Sequence, residues 1–405
     1  MRRISAGFAA AWLACAEYSV AQRNPVGQKS LTNAPTNHLV EQLGDKNSLR
    51  RYEALSQLAK LMNTNAAPEV VKLIDDPDRD VRYAALDALV KFEARQYTDA
   101  IWKLVDSRQP SHLEDYAIAA LVAYGQDRAI PLAVKRATDP SRRSQMLNAL
   151  VMTDAKSVGP AFIEVLKTQD VLGGDIGTDG NTRCDLMICL GKLKVTNAIP
   201  VLLQYVRSSP DQGLRGTAAV TLGALKAKDA VPDLISILRK ADPKDGLLAC
   251  EVALALSDIG DQAAWGDLIN FVSRPDIPFR NTILGLMNWS LDPKLWETIT
   301  TKKVRGLHFE AVDKTVDHLC REGGVRIVLH FAPKDGNPWP ETNTGNADVE
   351  LIVAIQGIVH ILATDTGVSA EMSPFTFAFR NGEVHILPID QAITWWKDVM
   401  TRRRP

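Results

Sequence analysis

Aromatic side chains are scarce in this chain of 405 residues, where Phe, Trp and Tyr make up 6%. With Leu, Ala and Val plentiful, that shortage favours helices packed on helices. An excess of one charge is also missing. Lys and Arg number 47 against 48 Asp and Glu, a formal net charge of −1, so neither nucleic acid nor an anionic membrane is indicated as the main partner. The five cysteines are too few in so long a chain for the disulfide framework of a small secreted domain. Cys184 and Cys189 in "CDLMIC" stand at i, i+5, on different faces of a helix, which supports neither a redox pair nor a zinc knuckle. With Cys250 and Cys320 they sit in apolar patterns and read as buried thiols. The motifs of catalysis are absent too: no GxSxG, no P-loop, no HExxH, and no GxGxxG behind a strand. "LGGDIG" lacks the flanking strand and helix that a dinucleotide loop requires. No catalytic, cofactor-binding or metal-ligating residue is therefore assigned, and no enzyme is expected. What is present is a globular composition, 46% hydrophobic and 23% charged, which excludes wholesale disorder.

The first 21 residues read as an export signal. Arg2 and Arg3 make a positive start, Ile4 to Ala16 is apolar but too short to span a bilayer, and Ser19-Val20-Ala21 offers small residues for cleavage. The mature chain would then begin at Gln22, with 22–35 a linker, and lie in the periplasm or outside the cell. "WLAC" approaches a lipoprotein box around Cys15, but Trp12 stands where Leu belongs. No later segment is long and apolar enough to cross a membrane.

The most informative feature is a copy. "LGKLKVTNAIPVLL" (190–203) and "LGALKAKDAVPDLI" (222–235) nearly match, and "LSDIGDQAAWGDLI" (256–269) follows more loosely. Each reads as the end of one helix, a polar turn, and a second helix with Pro in its first turn, where no backbone N–H is needed. Val231, Leu234, Ile235 and Leu238 continue at helical spacing. The links repeat as well. "DPDRDVRYAALDAL" (76–89) aligns with "SPDQGLRGTAAVTL" (209–222), placing Pro77 with Pro210, Asp78 with Asp211 and Arg82 with Arg215. "RPDIPFR" (274–280) adds Arg280, and "DKNSLR" (45–50) adds Arg50 without the proline. These positions are expected to be structural, as caps and an inter-repeat ladder of polar contacts.

About eight such units fit between residues 36 and 296, the third and fourth degenerate and the fifth carrying an insertion. Their period and paired helices resemble HEAT repeats, particularly the short bacterial kind first described in phycobilisome lyases. The resemblance implies a mainly α fold, a right-handed α-solenoid of HEAT-like helix pairs, whose long surface binds a protein or peptide. The insertion "DVLGGDIGTDGNTRCD" (170–185) reads as a solvated loop. As a calcium loop it fails, since Gly177 and Leu186 fall where oxygen ligands belong. Asp175 and Asp179, and Trp339 in a later loop, are the candidate partner contacts.

Near Trp296 the helical period stops and a small α+β domain is expected over 303–389, with a boundary in the polar "WETITTKKV" (296–304). Strands are expected at "VRGLHFEA" (304–311) and "VRIVLHF" (325–331), and a hairpin closes at Asn381-Gly382. The order strand, helix, strand, then strand, helix, hairpin resembles the short periplasmic domain of secretins and TonB-dependent receptors. "HLCREGGVRIVL" and "HILATDTGVSAEM" carry the likeness. It departs at Ala311-Val312-Asp313, where the family's Ala-Pro-Leu is missing, and in a longer loop over 332–346. His308, His330 and His385 fall on expected strands and could converge, but without HxH spacing they read as half-exposed sheet residues. Residues 390–405 form an amphipathic helix with Trp395 and Trp396 against the domain, then a basic tail.

The sequence thus suggests an exported interaction scaffold with a protein or peptide partner. Two other readings stand beside it: a bilin-lyase-like enzyme using the concave groove, and a structural cell-envelope component that assembles through its C-terminal domain.

Overall fold

The computed structural model describes residues 36–106, 111–168, 180–240, 246–304, 311–330, 349–365 and 373–402. The chain divides into two compact units, Met1–Val201 and Leu202–Pro405. In the first, the helices are α1 (Asn37–Gln42), α2 (Ser48–Lys60), α3 (Ala67–Val70), α4 (Arg79–Lys91), α5 (Thr98–Asp106), α6 (Ser111–Ala123), α7 (Ile130–Thr138), α8 (Arg143–Met152), α9 (Gly159–Thr168) and α10 (Gly180–Lys192). Helix α11 (Ile199–Ser208) spans the division. The second unit continues with α12 (Gln212–Ala224), α13 (Val231–Lys240), α14 (Gly246–Ile259), α15 (Trp265–Val272), α16 (Arg280–Met287) and α17 (Pro293–Thr301). From α2 to α17 the described helices form eight consecutive pairs, α2/α3 through α16/α17. The architecture is an α-solenoid of such pairs followed by a small α+β region.

The third and fourth pairs, degenerate in sequence, are regular in structure. In α6 every residue from Tyr116 to Val122 is at most 2% exposed, so the apolar run covers the whole helix and no periodic stripe shows. The insertion is shorter than the expected loop over 170–185, because Gly180 already opens α10. The part at 170–179 lies outside the described residues.

The copied stretches encode one turn. In six of the pairs, the residue after the C-cap of the first helix has positive φ: Met62, Glu93, Gly125, Asp154, Lys194 and Lys226. Around it, two backbone bonds close the helix end. After α4, the Glu93 amide donates to the Val90 carbonyl and the Ala94 amide to Leu89; after α12, Lys226 donates to Gly223 and Ala227 to Leu222. This is the Schellman arrangement, which satisfies the last carbonyls and brings an apolar residue back onto the helix. A 3₁₀ turn follows, and then the second helix, with Pro200 or Pro232 in its first turn. Gly223 in "LGAL" has its own reason. A Cβ there would meet the Cα of Ala255 on α14 at 2.9 Å, so glycine lets α12 and α14 approach.

Beyond α17 come β1 (Lys303–Val304), α18 (Val312–Gly323), β2 (Ile327–Leu329), β3 (Val349–Glu350), α19 (Leu351–Asp365), β4 (Phe375–Arg380), β5 (Glu383–Pro388) and α20 (Ile389–Arg402). β1 pairs antiparallel with β3, and a second sheet has the order β2-β5-β4. There β2 and β5 are parallel, and β4 and β5 form the hairpin, Arg380 opposite Glu383 across Asn381-Gly382, both at positive φ. The strand expected at 304–311 starts one residue earlier, at Lys303, and its part at 305–310, with His308, lies outside the described residues. α18 and α19 bury Val316, Leu319, Ile355 and Ile358 in one core with Ile327, Phe377 and Ile386.

That core also takes Leu295 and Ile299 from α17. The polar segment expected to mark a boundary is therefore mostly helical, with Ile299 fully buried. The sheet packs on the last repeat. Asn288, fully buried behind α16, donates to the Phe377 carbonyl (2.9 Å) and accepts from the Phe379 amide (3.2 Å). Those are the edge groups of β4, which no described strand covers. α20 lays Trp396 edge-on against Trp265 of α15, ring centroids 5.3 Å apart.

Candidate functional site

The links that join the pairs hold the repeated arginines. Asn47, Asp78 and Asp211 each cap a first helix through a side-chain oxygen. The arginine four residues on reaches back to the link or the previous helix. Arg82 donates to the carbonyls of Asp76 (2.7 Å) and Pro77 (3.1 Å), Arg215 to Val206 (3.0 Å) and Arg280 to Val272 (2.6 Å). Pro77 and Pro210 lie just before the caps. Counting from Asn47, the equivalent position in the first repeat is Arg51, not Arg50. Arg51 is buried and forks onto Asp76 at 2.8 and 2.7 Å, while Arg50, with its side chain 64% exposed, meets only Asp45. Asp139 and Arg143 keep the same spacing in the fourth pair, where Arg143 pairs with Asp185 (3.2 Å). Arg207–Asp233 and Arg239–Asp267 link successive second helices, each with a 2.7 Å contact. These contacts join one repeat to the next, while Arg50 and Arg239 keep most of their side-chain surface exposed.

A hollow of about 350 Å³ opens between the N-terminal halves of α2 and α4, lined by Ser48, Leu49, Tyr52, Asp78, Asp80 and Tyr83. Leu49 is 59% exposed and Tyr52 41%, two neighbouring large apolar side chains open to solvent at the hollow. The apolar character continues along the first helices. Tyr83 stacks at 4.8 Å on Tyr116, whose hydroxyl donates to Asp87 at 2.8 Å, and Met152 of α8 lies at its hydroxyl (4.0 Å). The rim is acidic. Asp78 has its pKa lowered, chiefly because its carboxylate accepts from the Val81 amide, and Asp80 is exposed beside it. The arrangement suits an apolar side chain next to a cationic one. Sequence reasoning missed this site, since Leu49 and Tyr52 obey no motif; their signal was a large apolar side chain off the core-facing stripe.

Of the expected partner contacts, Asp175, Asp179 and Trp339 lie outside the described residues. Among the described residues, Cys189 and Cys250 have thiols pushed up to about 12 by burial, which keeps them unreactive. No group of three or more metal-ligating side chains occurs among the described residues, and no described helix is long and apolar enough to cross a membrane.

The histidines are brought together in part. His330 follows β2 and His385 lies on β5, with the Nε2 of the first 2.6 Å from the Nδ1 of the second. His385 is 8% exposed, and its pKa is lowered by burial first and by the neighbouring His330 second. Glu383 stands 3.4 Å from its Nε2 and is itself held by Arg326 at 2.9 Å.

The family model of HEAT repeats matches residues 36–121, 177–255 and 199–286. No curated protein matches the chain. Among solved structures, the CpcE–CpcF complex of phycocyanin lyase from Nostoc sp. PCC7120 is 17% identical, covering 66% of this chain and 98% of that one, with a TM-score of 0.25. Human deoxyhypusine hydroxylase is 16% identical, covering 64% and 94%, at 0.27. The karyopherin Kap121p, bound to the extreme C-terminus of the phosphatase Cdc14p, is 12% identical, covering 83% and 38%, at 0.33. Superpositions this loose transfer no activity.

Proposed function

We propose that this HEAT-repeat chain is a non-enzymatic interaction scaffold, and that the hollow on α2 and α4 receives a peptide segment carrying an apolar residue beside a lysine or arginine. The observation that supports it is the exposed pair Leu49 and Tyr52 within an acidic rim. Apolar anchors in a pocket supply affinity, and the carboxylates select the charge beside them. The protein acts outside the cytoplasm, with the signal at 1–21 removed and Gln22 at the mature N-terminus. Its C-terminal region is a domain akin to the short periplasmic domain of secretins and TonB-dependent receptors, and associates it with the cell envelope.

Panning a displayed random-peptide library on the full chain tests the binding. Enriched peptides should pair an apolar residue with a basic one, and should be lost on Leu49→Asp and Asp80→Lys. Both side chains are exposed, so the fold should survive, with Asp80→Lys costing about 1 kcal/mol at the N-terminus of α4. Absence of enriched peptides, or equal binding to both variants, removes the reading. N-terminal sequencing tests the location separately, since an intact Met1 on cytoplasmic protein contradicts export.

A further inference from the structure

The hollow on α2 and α4 is lined by two tyrosine rings as well as by two carboxylates, and that combination discriminates between cations. We propose that it selects arginine over lysine, the guanidinium of the bound segment lying against Tyr52 and Tyr83 and forking onto the carboxylate of Asp80. The selection rests on the peptide binding proposed for this hollow and narrows the basic partner residue to one side chain.

The two acids play different parts. Oδ1 of Asp78 already accepts from the amides of Asp80 (2.9 Å) and Val81 (3.2 Å), and the Ser48 hydroxyl also donates to that carboxylate. Asp78 therefore contributes a fixed negative charge but little capacity for another donor. The Asp80 carboxylate stands exposed in the first turn of α4, open to a donor. Of the arginines on α2, Arg50 is paired with Asp45 and Arg51 with Asp76, so neither neutralises the rim.

One ring is set in place before any ligand arrives. Tyr83 is held at both ends, its ring on Tyr116 at 4.8 Å and its hydroxyl 4.0 Å from the Met152 sulfur. Tyr52 lines the same hollow from α2 and is 41% exposed. Tyrosine faces attract cations of either kind, but the two basic side chains need different walls. An ammonium is compact and strongly hydrated, and its three N–H groups each seek an acceptor. With Asp78 engaged, Asp80 cannot supply them all, and Leu49 and the rings displace the water that would. A guanidinium is planar and weakly hydrated. Its faces need no acceptor and can lie on the rings, while its edge matches one carboxylate through two parallel bonds. At about 350 Å³ the hollow is small for a ligand site, so it takes this side chain with an apolar neighbour over Leu49.

Two displayed peptide libraries that differ only in the basic residue allowed, arginine in one and lysine in the other, give the test when panned on the full chain. Binders should come from the arginine library. In a synthetic peptide copied from one of them, lysine in place of the arginine should weaken binding at least about fivefold, the size of one cation–ring contact. Citrulline, which keeps the shape without the charge, should weaken it further. Tyr52→Leu keeps an apolar wall and should erase most of the preference for arginine over lysine, whereas Tyr52→Phe should retain it. Asp80→Asn should weaken the arginine peptide more than its lysine version, because only the first loses a paired contact. Lysine peptides that bind as tightly, or a preference that survives Tyr52→Leu unchanged, overturn the proposal and leave peptide binding at the hollow standing. Binders from neither library remove both.

Discussion

Glu251 lies on α14, 2% exposed, with its carboxylate packed where Gly216 of α12 has no side chain. A Cβ at Gly216 would fall 1.5 Å from Oε2, so glycine there makes room for the acid. That oxygen has no hydrogen-bond partner, and burial pushes the carboxyl up to about 8 from its ordinary 4.5. Between those values the native state holds a proton that the unfolded chain has released, so stability falls as pH rises from about 4.5 to 8 and levels off above. The slope cannot exceed about 1.4 kcal/mol per pH unit for one group. Glu251→Gln should flatten this dependence and raise the melting temperature at pH 8, measured by thermal melts between pH 5 and 8.5. An unchanged slope in the variant assigns the dependence to other groups. Little at this scale was legible beforehand. Asp78, Asp211 and their arginines could be read because each cap and clamp is local in the chain, yet "DKNSLR" pointed to Arg50 because the missing proline removed the alignment mark. His330 and His385 are brought together by strand register, which local pattern does not encode.

Turns set the character of the elements. Five of the six Schellman turns place a side chain at positive φ, against one glycine, Gly125. An L-residue there costs on the order of 1 kcal/mol. Glu93 is exposed, with φ at 51°, so Glu93→Gly should stabilise the protein by up to about 0.5 kcal/mol after the added freedom of the unfolded chain is deducted. Urea denaturation checks this, and a loss of stability would show that the Glu93 side chain contributes more than its backbone costs. The turn was visible in "LGKLKVTNAIP" because capping, C-terminal leucine and proline all fall within a dozen residues. The edge of β4 was not, since its partner Asn288 is distant in sequence. Asn288→Ala leaves the carbonyl of Phe377 and the amide of Phe379 buried without their Asn288 partner, a cost of about 2–6 kcal/mol at ~1–3 for each. The denaturation midpoint should fall accordingly, with folded-state binding at the α2–α4 hollow intact.

For the molecule as a whole, the period that defines eight helix pairs also conceals where the pattern changes purpose. α17 is the second helix of the last pair by order, yet Leu295 and Ile299 lie in the same apolar core as Val316, Ile355 and Ile386. A fragment of residues 293–405 should therefore melt at least about 5 °C above one of residues 303–405, as expected when a small domain regains more than ~1 kcal/mol. Circular dichroism of both decides it, and equal melting would make α17 dispensable to that core. The fold class was legible because helix pairs repeat, and in the C-terminal sheet the strand at 325–331 and the Asn-Gly hairpin were legible, but not the parallel pairing of β2 with β5.

Repeat arrays change length over generations when a unit is copied or lost, and most units here could take part, because each turn and clamp is written in the same few residues. The unit holding Asn288 could not. Its amide is matched to a single strand edge, and a copy placed among ordinary repeats would bury the same polar group with no strand to receive it. Gain or loss of repeats in this lineage should therefore occur upstream of α16, leaving the last pair and the sheet to be inherited together.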